Sequence, residues 1–65
     1  MDEAEIRRRL ESARIEHGDL DAAITALAAS PMPDQLRIAR LKRRKLALKD
    51  EVALLEGALI PDIIA

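Results

Sequence analysis

The chain has no cysteine and no phenylalanine, tyrosine or tryptophan. Without cysteine there is no disulfide and no thiolate zinc site. Without aromatic rings there is little to line a small-molecule pocket or to stack against nucleic-acid bases. A single histidine, His17, leaves no second imidazole for a His-based metal cluster. At 65 residues the chain is one small domain near the lower limit for a self-sufficient core. Small domains lacking staples usually find reinforcement in another chain. No apolar run approaches the roughly 20 residues of a membrane span. The opening Met1-Asp2-Glu3-Ala4-Glu5 is acidic and differs from the charged-then-apolar pattern of a secretory signal. These features predict a cytoplasmic protein with no membrane span.

What is present points to helices. Alanine and leucine are abundant, and charged residues make up 35% of the chain. That mixture is typical of long helices and coiled coils. Ser30-Pro31-Met32-Pro33-Asp34 is the one strong interruption. Two prolines so close cannot both lie inside one helix, because each lacks an N–H and restricts the residue before it. The predicted organisation is a single domain over 1–65. It has a helix over about 2–29, a turn over 30–33, a helix over about 34–57 and an apolar tail over 58–65. Asp34, or Pro33 as first helical residue, starts the second helix, and Gly57 followed by Pro61 is expected to stop it. Gly18 lies in a stretch whose heptad phase is unbroken, so a continuous helix with a soft point is expected there.

The apolar spacing defines two seams. The first holds Ile6, Leu10, Ala13, His17, Leu20, Ile24 and Leu27; the second holds Ile38, Leu41, Lys45, Leu48, Val52, Leu55 and Leu59. Both alternate steps of three and four, the signature of a coiled coil. Folding the chain back at the prolines matches the seams in one antiparallel register, from Leu27 with Ile38 out to Ile6 with Leu59. The fold class expected is all-α: an antiparallel two-helix hairpin, assembling into a four-helix bundle or larger oligomer.

Two seam positions are polar. His17 and Lys45 fall in neighbouring layers, opposite Leu48 and Leu20. A polar residue in such a seam can fix register or oligomeric state at some cost in stability. Off the seam, Ile15, Leu46 and Leu54 are candidate oligomer contacts. So are Ile60, Ile63 and Ile64 of the tail, which is expected to pack on the hairpin's open end or on a neighbouring chain. Along the edges, Asp21 is placed to reach Lys42 and Arg7 to reach Glu56. Arg14 would face Lys49, and Glu16 would face Glu51. That leaves one edge locally basic and the other locally acidic.

The second helix is rich in cations. Arg37, Arg40, Lys42, Arg43, Arg44, Lys45 and Lys49 place seven positive charges within thirteen residues. They can contact an anion or a partner, and phosphates are the obvious anion. Against a nucleic-acid role, the whole chain has a net charge of −1, and the basic residues spread around the helix. The simpler reading is a solvated face balanced by the acidic first helix. For catalysis there is no Gly-rich phosphate loop and no nucleophile beside a histidine. The hydroxyl side chains Ser12, Thr25 and Ser30 have no activating neighbour in sequence. The expectation is a protein that is not an enzyme and needs no cofactor or metal.

Two blocks carry a family resemblance. Glu16-His17-x-x-Leu20-Asp21-x-x-Ile24 is followed by Arg40-Leu41-Lys42-Arg43-Arg44-Lys45-Leu46-Ala47-Leu48-Lys49-Asp50-Glu51. Together they resemble the YdcH-like family of small bacterial proteins, whose domain has no assigned function, over roughly residues 10 to 60. Pro61-Asp62-Ile63-Ile64-Ala65 is similar to the ending of some bacterial members. The resemblance implies a cytoplasmic coiled-coil hairpin with His17 and Lys45 among its characteristic features. It implies no catalytic residues. The function expected is a small structural or adaptor coiled coil acting through self-association and protein–protein contacts, its partner unknown. The alternative is an accessory protein that binds nucleic acid or another anionic surface through the basic helix.

Overall fold

A computed structural model describes residues 2–59. Two α-helices, α1 (Glu3–Ala28) and α2 (Gln35–Leu59), lie antiparallel against each other. Each helix starts on an aspartate. The Asp2 carboxylate accepts a hydrogen bond from the Glu5 N–H at 2.8 Å, and the Asp34 carboxylate accepts one from the Arg37 N–H at 3.0 Å. These bonds satisfy backbone donors that have no partner within the helix. Gln35 is the first helical residue of α2, so the start falls on Asp34 as its cap, as one of the two expected readings had it, and not on Pro33.

The turn uses its few N–H groups locally. Ala29 donates to the Thr25 carbonyl, Ser30 donates to the Leu27 carbonyl, and Met32 donates to the Ser30 hydroxyl. Pro31 and Pro33 have no N–H to place. The chain reverses with every described peptide bond trans and no residue at positive φ.

Burial follows the seams. All fourteen seam positions are buried or half-buried, Lys45 and His17 included. The six buried residues among those described, Leu10, Ala13, Ile24, Ile38, Leu48 and Leu55, are all seam residues. Leu48, only 2% exposed, is the most enclosed. A hairpin covers each seam from one side only, which is why so many seam residues stop at half-burial.

Both glycines are helical. Gly18 lies mid-way along α1, and a Cβ there would meet nothing within 4 Å. Gly57 does not end α2, which continues to Leu59. A glycine within a helix costs about 1 kcal/mol relative to alanine, and the seam contacts of Leu55 and Leu59 on either side offset that cost. Residues 58 and 59, expected in the tail, are therefore helical. The rest of the expected tail, including Ile60, Ile63 and Ile64, lies outside the described residues.

Candidate interaction surface

The hairpin has two edges, and each is laced by ion pairs. On one edge Arg44 donates to Glu16, Nε to Oε2 at 3.0 Å and a terminal nitrogen to Oε1 at 3.2 Å, and Arg9 approaches Glu51 at 3.8 Å. On the other edge Arg14 bonds Glu56, and the Lys45 Nζ donates to Asp21 Oδ1 at 2.6 Å. The pairs Arg9–Glu51 and Glu16–Arg44 step one heptad forward on α1 and one heptad back on α2, as an antiparallel coiled coil requires.

These pairings correct the edge contacts expected from sequence. Glu16 and Glu51 do share one indentation, and Arg14 and Lys49 share another, but the ion pairs of Glu16 and Arg14 go to Arg44 and Glu56, one heptad away. Asp21 takes Lys45 instead of Lys42, and Arg7 takes Glu3 of its own helix at 2.8 Å instead of Glu56. Neither edge is left with one sign of charge. Arg14 and Glu16 each stand between two residues of the opposite helix, and each pairs with the one of opposite charge.

The pairs also set local electrostatics. The Arg44 hydrogen bond holds the Glu16 carboxyl below its ordinary value, outweighing the opposing effect of partial burial. Lys45 lowers Asp21 in the same way, first through its hydrogen bond and then through its charge, with a smaller contribution from His17. Arg44 is raised in turn, chiefly by its bond to Glu16.

The cations singled out in the sequence fall into two groups. Arg44 and Lys45 bind α1, and Arg37 lies 3.9 Å from Asp34. Arg40, Lys42, Arg43 and Lys49 are exposed and form no ion pair among the described residues. His17 lines a shallow indentation with Arg14, Lys49 and Val52, on the opposite edge from Glu16 and Arg44. Lys45 keeps its stem in the seam and carries its ammonium to the Asp21 edge. Among the described residues, no three histidine, aspartate or glutamate side chains are grouped to hold a metal ion.

Large apolar side chains stand in water on the outside. Ile15, Leu46 and Leu54 are 59%, 62% and 76% exposed. Met32 and Leu36, which the seam pattern did not single out, are exposed as well. Leu36 stands just before the first seam residue of α2 and points away from α1. Its heptad position already implied this, had the phase been extended back from Ile38. Around the turn the surface is uncharged: no acid or base occurs from 22 to 33.

Residues 10–56 match the family described as a protein of unknown function, DUF465. The chain belongs to the DUF465 family. This is the YdcH-like family that its two sequence blocks resemble. The match takes in most of both helices and the turn between them, so the hairpin is the family's domain and not an appendage to it. No curated protein and no solved structure matches the chain. Membership of DUF465 carries no assigned activity, and no described helix is long and apolar enough to cross a membrane.

Proposed function

We propose that this DUF465 chain is a non-catalytic coiled-coil module of the cytoplasm that works through self-association and protein–protein contacts. One observation carries the reading. Among the described residues, six are buried while five large apolar side chains, Ile15, Met32, Leu36, Leu46 and Leu54, are open to water. Single exposed leucines are ordinary. Here the exposed large side chains nearly equal the core in number, on a scaffold too small to be stabilised well by that core alone. Covering some of them against another helix supplies the apolar contact that the hairpin lacks.

Polar seam residues support the same reading. His17 and Lys45 dilute the hairpin's own interface, as polar residues do where a coiled coil's register or assembly must be specified. The measurement that tests the proposal is the mass of the purified chain by light scattering across a wide concentration range. Association that grows with concentration is expected. A strictly monomeric hairpin throughout would overturn self-association.

A further inference from the structure

The charges that the hairpin leaves unpaired are sorted by helix. On the outer side of α1, exposed Ile15 lies between Glu11, four residues before it, and Asp19, four residues after it. One heptad further on is the exposed Ala22. On the outer side of α2, exposed Leu46 is surrounded by Lys42, Arg43 and Lys49, with exposed Ala39 and Ala53 one heptad to either side. None of these five charged residues forms an ion pair among the described residues. Ile15 on α1 thus stands among acidic neighbours, and Leu46, one of three exposed leucines on α2, stands among basic ones.

We infer that the two surfaces are halves of one contact, so that the outer face of α1 in one copy docks on the outer face of α2 in a second copy. This rests on the self-association proposed above and specifies its surface. Two exceptions to the sorting fix the direction of docking. Arg8 lies one heptad before Ile15, and Asp50 lies four residues after Leu46; both are exposed and outside the described ion pairs. With Ile15 set on Leu46 and the helices antiparallel, Asp19 comes level with Lys42 and next to Arg43, Glu11 comes level with Asp50 and next to Lys49, and Arg8 stands three residues along from Asp50. Ala22 then meets Ala39, two small residues that allow close approach. With the helices parallel, Glu11 comes level with Lys42, Asp19 comes level with Asp50 and next to Lys49, and Arg8 stands three residues along from Lys42. The contacts of Glu11 and Asp19 balance in the two arrangements, so the direction rests on Arg8, which nears the acidic Asp50 in the antiparallel one and the basic Lys42 in the parallel one, and antiparallel docking is selected.

The geometry sets the kind of assembly. The two faces lie on different helices and point away from one another, so two copies cannot satisfy both contacts at once. Such a head-to-tail contact continues from copy to copy, either closing as a ring or remaining open. Antiparallel docking of α1 on α2 leaves successive hairpins pointing the same way. Neighbours are staggered by four residues, or about 6 Å at the helical rise.

Sedimentation of the full chain and two charge-reversal variants tests this. One variant carries Glu11→Lys and Asp19→Lys; the other carries Lys42→Glu and Lys49→Glu. Circular dichroism of each checks that the helices remain, since all four positions are exposed. The unaltered chain is expected to form species larger than a dimer, and its association constant is expected to fall about tenfold or more between roughly 0.05 M and 0.5 M salt. Each variant alone is expected to be monomeric, and an equimolar mixture is expected to regain association, because each then supplies the face the other has lost. Association unmoved by either reversal, association lost without recovery on mixing, or association of the unaltered chain that persists undiminished in high salt would overturn the docking surface while leaving self-association standing. An unaltered chain that never associates would overturn both.

Discussion

Lys45 occupies a seam position that leucine or isoleucine would fill in an uninterrupted coiled coil, and its ammonium escapes to Asp21 at 2.6 Å. Glu16 makes the matching bond with Arg44 on the other edge. Exposed pairs of this kind contribute little each; their value lies in rewarding one register over its neighbours. Both carboxyls are held below their ordinary values of 4.5 for Glu16 and 3.8 for Asp21, so the unfolded chain binds protons more readily than the folded one. Their stabilisation is therefore fully present above about pH 5 and is lost as pH falls through the lowered folded values. Thermal melts followed by circular dichroism are expected to show a falling midpoint below that pH. A Glu16→Gln, Asp21→Asn variant should lose less on acidification than the unaltered chain. An identical acid slope in the two proteins would count against these pairs as its source.

At the scale of the helices, the weakest stretch of α1 is Gly18, where an added methyl group meets open space. Gly18→Ala is expected to stabilise the hairpin by about 1 kcal/mol, from helix propensity and the reduced freedom of the unfolded chain. In contrast, Asp34→Ala removes the carboxylate that accepts the Arg37 N–H, and a loss of about 1 kcal/mol is expected. Denaturant titration of both variants would measure the two changes, and no gain from Gly18→Ala would mean the helix is not limited there. Both helices and the turn were legible in the sequence for physical reasons. Seam spacing records which side of each helix meets the other, and Pro31 and Pro33 cannot be absorbed into a continuous helix. The end of α2 was less legible, because Gly57 is a stop signal only when the next residues have nothing to pack against. Leu59 remains a half-buried seam residue, and the helix passes through. The edge pairs were the least legible. Arg14 lies between Lys49 and Glu56, and Glu16 lies between Glu51 and Arg44, so heptad position alone offers two partners to each. The choice is made by side-chain reach, which spacing does not encode.

At the scale of the molecule, the four ion pairs that join α1 to α2 among the described residues all lie along the shaft, from Asp21–Lys45 outward. The turn end is held instead by uncharged contacts around buried Ile24 and Ile38. A match of the family to residues 10–56 covers the turn and every one of these residues except Arg9. The separation has a consequence for the order of events when the chain folds. Bringing Ile24 and Ile38 together closes a short loop, and the entropic cost of closure rises with loop length. The turn end is therefore the expected nucleus, with the shaft zipping up afterwards toward Leu10 and Leu55. Interactions absent from the transition state change the unfolding rate and leave the folding rate almost untouched. Stopped-flow measurements are accordingly expected to show that salt, which screens the shaft pairs, speeds unfolding while refolding stays nearly constant. A refolding rate that fell with salt would place the charged shaft in the nucleus. On this ordering the ion pairs act as a latch: they have little say in how quickly the hairpin forms, and they govern how long it stays shut.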